Sequence, residues 1–227
     1  MTRASTCYMC DSPETSREHA PPLCFFPGTN DVGRDLRRNL VTVPSCDIHN
    51  SKKSKDDEFF RSVVLMAAAP NSDTGRHLFS RKMLRAAARM PHSQRLFFRD
   101  KGPIAEERGR VLQIDRKRFD TCIDHLAKAL FYDTYARKWN LPTTVVSPNF
   151  FSGIASDQVV PHQPTLDAVE MSRKALGSEP IRGENPDVFK YRLRYDAREE
   201  IYAFAAIFYD CFEVYSFSSR ELAHVAV

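Results

Sequence analysis

The sequence predicts an α+β protein in two parts: a metal-stapled front and a back built from one long helix and a terminal β-hairpin. Three observations carry this. Cys7-Tyr-Met-Cys10 and Cys46-Asp-Ile-His49 repeat one short spacing near the start of the chain. Between Phe119 and Trp139 the apolar residues Phe119, Ile123, Leu126, Leu130 and Phe131 recur at helical intervals. From Val188 onward the chain is aromatic-rich and alternates, with Phe189, Tyr191, Leu193 and Tyr195 on one face. At 227 residues, one or two domains are expected. We expect a front module over 1–70, a basic helical connector over 71–118, and an α+β C-terminal domain over 119–227.

In chain order, residues 11–45 leave room for a hairpin between the two cysteine spacings. The stretch from Phe25 to Arg38 holds Pro27, Gly28, Asn30, Asp31 and Gly33 and reads as a loop. Leu40 to Val43 reads as a short strand ended by Pro44. Asn50 to about Ala68 reads as a helix, with the acidic run Asp56-Asp57-Glu58 early and Phe59, Phe60, Val63, Val64 and Met66 as its apolar face. Leu78 to Met90 reads as a second, basic helix ended by Pro91. The long helix from Phe119 is expected to stop at Asn140-Leu141-Pro142. Residues 143–187 are broken by Pro148, Gly153, Pro161, Pro164, Pro180 and Pro186, leaving loops and a short helix near Leu166–Leu176. Ile201–Phe208 and Cys211–Phe217 read as strands joined at Tyr209-Asp210.

The composition, 42% hydrophobic and 27% charged, is that of an ordinary globular protein. No stretch approaches a membrane span, and Met1–Cys10 lacks an apolar signal core, so a cytoplasmic location is expected. The net charge of +4 permits a polyanionic partner without demanding one. Its distribution is more telling: from Arg76 to Arg118 there are thirteen Lys and Arg residues against Asp100, Glu106, Glu107 and Asp115. Such a block attracts phosphate backbones without choosing a base sequence. The six cysteines do not form a disulfide framework. Cys7, Cys10 and Cys46 cluster, while Cys24, Cys122 and Cys211 stand alone and are expected as packed thiols.

Two thiolates two residues apart can grip one tetrahedral zinc from a tight turn. Cys46 and His49 repeat that spacing, so Cys7, Cys10, Cys46 and His49 make a candidate Cys₃His zinc site. Glu18-His19 lies between these pairs, and Asn50 follows the second directly. A histidine can take a proton from water near neutral pH. Glu and Asn oxygens suit a hard cation such as Mg²⁺, which can polarise a phosphoryl oxygen. The amino end of the helix after Asn50 would favour the phosphate.

The order Cys7-x-x-Cys10, Glu18-His19-x-x-Pro22, strand Leu40–Val43, Cys46-x-x-His49-Asn50, Lys53 and an acidic helix resembles the HNH endonucleases of the zinc-containing, treble-clef ββα-metal type, bacterial or phage. The resemblance is strong over about a quarter of the chain and fainter in the tail. It implies a metal-dependent endonuclease hydrolysing phosphodiester bonds in DNA, or alternatively in RNA. By it, His19 is the general base, Glu18 and Asn50 are ligands of a catalytic Mg²⁺ or Mn²⁺, and the zinc is structural. The helical histidine of the family is missing; Asp57, two turns beyond Asn50 on the same face, is the candidate replacement. Lys53, one turn from Asn50, is a candidate phosphate contact. The resemblance also suggests a role in phage defence; for the C-terminal domain we expect substrate grip, binding of a partner protein or dimerisation. The alternative is a catalytically inactive, zinc-stapled module that binds nucleic acid or protein.

Overall fold

The computed structural model describes residues 5–80, 114–150, 153–155, 158–160 and 162–220. The expected basic helix from Leu78 to Met90 lies outside them beyond Ser80, as does most of the basic block. The architecture is mixed α+β with antiparallel sheets.

In the front, β1 (Ser16–His19) pairs antiparallel with β2 (Thr42–Ser45), with Glu18 opposite Val43 and His19 opposite Thr42. Between them lie a 3₁₀ turn over Leu23–Phe25 and the short α1 (Thr29–Val32). Pro44, expected to end the second strand, lies inside it. Its carbonyl accepts from Tyr8 N at 2.8 Å on the side away from β1, so the N–H that proline lacks would not have joined the β1–β2 ladder.

After β2, the turn at Cys46–Asn50 is closed by His49 N and Asn50 N, both donating to Cys46 O. A 3₁₀ turn over Ser51–Lys53 leads into α2 (Ser54–Ala68), so Asn50 stands just ahead of the helix and not within it. Asp56 and Asp57 in its first turn complement the helix dipole. Phe59, Phe60, Val63, Val64 and Ala68 are buried. The short α3 (Asp73–Leu78) folds back on α2, where a Cβ on Gly75 would lie 2.9 Å from that of Ala68.

The long helix α4 (Arg116–Tyr135) begins at Asp115, whose side chain accepts from Arg118 N. It ends earlier than its sequence pattern suggests, because Ala136 takes a left-handed conformation (φ 52°). The chain then turns so that Trp139 packs on Phe131 at 5.2 Å and on Tyr202 at 5.6 Å.

The back is a four-stranded antiparallel sheet in the order β3-β8-β7-β6. Its strands are β3 (Thr144–Val146), β6 (Phe189–Asp196), β7 (Ile201–Phe208) and β8 (Phe212–Ser218). Left-handed Tyr209 and Asp210 make the turn between β7 and β8 where the sequence places it. The edge strand β3 and the two-stranded β4 (Gly153–Ala155) and β5 (Gln158–Val160) fall in the region expected as loops. The short helix is present as α5 (Gln163–Leu176). Alternation sorts the sheet's faces. Tyr202, Phe204, Phe208, Phe212 and Val214 join the core with α2 and α4, while Ala205 and Tyr215 pack with Val169 and Leu176 of α5.

One continuous cluster of buried side chains runs from Cys7 in the front to Val214 in the back. Phe60 is its hub, with ring centroids 4.8 Å from Phe25, 5.4 Å from Phe208 and 5.5 Å from Phe119. The Tyr209 hydroxyl donates to Phe25 O at 2.9 Å. Front and back therefore share their apolar interior. Among the described residues no helix is long and apolar enough to cross a membrane.

Candidate metal centre and the polar cluster beside it

Cys7 and Cys10 sit on the turn before β1, Cys46 and His49 on the turn after β2, and the β1–β2 pairing brings the two turns together. All four ligand atoms lie within 4.8 Å of one another. A tetrahedral zinc with bonds of about 2.3 Å to sulfur and about 2.0 Å to nitrogen has S–S edges of about 3.8 Å and S–N edges of about 3.5 Å. The Cys10–Cys46 sulfurs are 3.8 Å apart. His49 Nδ1 lies 3.4, 3.6 and 3.4 Å from the sulfurs of Cys7, Cys10 and Cys46. These four distances match edges of a zinc tetrahedron, so the group could hold a metal ion such as zinc. Met9 N donates to Cys7 Sγ at 3.4 Å, as suits a thiolate. Lys138, beyond α4, clamps the first turn through Cys10 O at 2.6 Å and Asp11 at 2.8 Å. His125 of α4 packs edge-on to His49 with ring centroids 5.9 Å apart.

The residues expected around a catalytic cation divide between two faces of β1. Arg17 reaches Thr42 Oγ1 at 3.0 Å, and His19 pairs directly across from Thr42, so Arg17 and His19 share one face. Glu18 points the other way, toward the start of α2. There Lys53 Nζ lies 2.5 Å from Glu18 Oε1 and 2.9 Å from Asp57 Oδ1. Lys53, expected at a phosphate, is instead buried as the shared partner of two carboxylates. Its ammonium fills the space a divalent ion would need between Glu18 and Asp57, so as arranged this pair does not fit a catalytic Mg²⁺ or Mn²⁺. Asn50 donates through Nδ2 to Ser16 Oγ at 2.8 Å and to Arg17 O at 3.2 Å. The carbonyl can only accept, which fixes the amide's orientation and leaves Oδ1 as its acceptor. Asn50 thus ties β1 to the helix start.

Electrostatics follow from burial. Desolvation pushes the Glu18 carboxyl up to about 7, against the downward pull of Lys53. Asp57 is raised by burial too, and again Lys53 works against the rise. Glu18 Oε2 and the Tyr8 hydroxyl are buried without a well-formed hydrogen bond, and the two groups act on each other. Half-buried His19 is shifted down by desolvation, which favours its neutral, proton-accepting form near neutral pH.

Other sequence candidates resolve simply. Cys24, Cys122 and Cys211 direct their thiols at α2 carbonyls: Asp57 O, Asp56 O and Ala68 O. Arg118 is engaged by Asp56 at 2.6 Å and lies over the Phe59 ring, and Arg116 is held by Asp120 and Val145 O, so these two members of the basic block serve packing. Tyr191, Tyr202 and Phe204 are buried core residues. Sequence reasoning missed Tyr8 and Ser16 as neighbours of the cluster. It could have paired Lys53 with Asp57 from their four-residue spacing, but nothing local pointed to Glu18 as the second partner. Comparisons with protein-family models, with curated proteins and with solved structures find no match.

Proposed function

We propose that this chain is a zinc-stapled endonuclease of the HNH kind, hydrolysing phosphodiester bonds in DNA with His19 as the base that takes a proton from the attacking water. The observation that carries the reading is the continuous order of a Cys₃His centre, an antiparallel strand pair and helix α2, with His19 at the end of the first strand. A neutral imidazole suits the role. The metal centre holds the two turns in place, and Asn50 and the Glu18–Lys53–Asp57 cluster brace the strand that presents His19. Plasmid DNA incubated with purified protein, with and without Mg²⁺ or Mn²⁺, tests the reading. Cleavage should fall by roughly 10²–10⁴ in His19→Ala. Wild type and His19→Ala equally inert on DNA and RNA would overturn it.

A second reading has its own support. Because Lys53 stands between Glu18 and Asp57, the same frame serves a binding module without catalysis. Its signature is retardation of DNA that is unchanged by His19→Ala, with no cleavage under any metal.

A further inference from the structure

A cleft of about 460 Å³ opens just past the end of β1, where the chain leaves His19. Ala20 and Pro21, the two residues that follow His19, form part of one wall, with Leu40 and Val41 leading into β2. The segment 181–185 forms the opposite wall, ahead of β6, and Phe189 and Tyr191 contribute to the lining. The cleft thus lies where the front module meets the C-terminal sheet. Its volume falls within the range of about 300–1,000 Å³ typical of small-ligand sites.

The walls are built to a fixed shape. Gly183 has φ +123°, and a Cβ there would sit 2.6 Å from Phe189 O, so only glycine lets this segment close on β6. Backbone bonds between Arg182 and Tyr191, 2.8 and 2.9 Å in the two directions, fasten it. Within the cleft lining, Asn185 Nδ2 is buried and has no hydrogen-bond partner. An unpaired buried donor is costly, and an acceptor in the cleft recovers that cost once the Asn185 side chain turns toward it.

The charges decide the class of ligand. Asp133 and Glu184 stand in the lining against the single guanidinium of Arg182. Two carboxylates to one cation disfavour a phosphate. They suit a neutral planar group with both donors and acceptors on its edge, and the guanidinium offers a stacking plane.

We propose that this cleft receives one unstacked nucleobase of the substrate strand, next to the phosphate presented to His19, with Asn185 Nδ2 donating to an acceptor on the base. This rests on the nuclease reading and sharpens it: the preferred substrate is single-stranded, or a duplex from which a base can be turned out.

The test separates the two ideas. Full-length His19→Ala protein, without added divalent metal or chelator so that zinc is retained, is titrated with a short single-stranded deoxyoligonucleotide carrying 2-aminopurine. Its emission should change on binding, and an oligonucleotide with abasic positions instead should bind more weakly. Asn185→Ala should weaken binding of the base-containing strand by about three- to tenfold. If Asn185→Ala loses zinc or melts early, Ile181→Trp takes its place, since Ile181 is an exposed wall residue whose enlargement would fill the cleft. Equal affinity for the abasic strand, no binding at low salt, or wild-type-like affinity in the folded cleft variants overturns the proposal. Plasmid cleavage by wild type is scored in parallel. Cleavage without discrimination against abasic strands removes the base site and keeps the nuclease. Discrimination without cleavage keeps the base site and removes the nuclease.

Discussion

Replacing Glu18 by glutamine should flatten the dependence of stability on pH. In the folded protein burial raises the Glu18 carboxyl from 4.5 to about 7, despite the Lys53 ammonium at 2.5 Å. The folded state therefore binds this proton more tightly than the unfolded chain does. The stability it contributes is fully present below about pH 4.5 and is lost as pH rises through about 7. At about 1.4 kcal/mol per pH unit, that interval is worth about 3 kcal/mol. Glutamine keeps the shape and cannot ionise, so Glu18→Gln should gain about 3 kcal/mol relative to wild type between about pH 4.5 and about pH 8. Asp57 is also raised, chiefly by burial and against the pull of Lys53; because its charge acts on Glu18, its contribution cancels in part and the rest belongs to the pair. Protonation of the cysteine centre is common to both proteins and cancels likewise. Urea unfolding of both proteins, in zinc-containing buffer across that range, gives the difference curve. A flat difference, or one in which wild type gains as pH rises, would refute the account of a carboxyl held up by burial.

Two further outcomes follow from the frame. Cys46→Ser should leave the protein with little bound zinc by metal analysis and a front that no longer folds. Structural zinc contributes about 10–16 kcal/mol of apparent binding energy in small sites, comparable to the whole stability of a domain; zinc content equal to wild type would refute the ligand set. Phe60→Ala should cost about 3–5 kcal/mol and, because Phe60 touches Phe25, Phe119 and Phe208, should lower a single shared transition in thermal melting. Two separated transitions would show that front and back unfold independently.

Much of the chain was legible locally. The candidate metal centre was readable because two turns of fixed spacing carry soft donors, and the spacing within each pair is set inside its own turn. Helices α2, α4 and α5 and the β7–β8 hairpin were readable because periodicity and turn residues act over a few neighbours. Their ends were less so. Ala136 stops α4 by a left-handed turn that its side chain does not announce, and Pro44 sits inside β2 because the open side of that strand needs no proline N–H. Strand β3 was hidden among prolines, since three residues become a strand only when β8 offers an edge.

The candidate site divides along the same line. The sequence by itself determined the Cys₃His group that could hold a metal ion and the α+β class, and it named Glu18, His19, Asn50 and Asp57 as candidates. Only the tertiary structure decided that Glu18 and His19 leave β1 on opposite faces, that Lys53 lies between Glu18 and Asp57, and that the segment 181–185 closes a cleft beside the residues that follow His19. The reason is physical. Ligand spacing and helical period are written into short stretches of chain, whereas the pairing of a buried charge and the shape of a cleft depend on segments far apart in sequence.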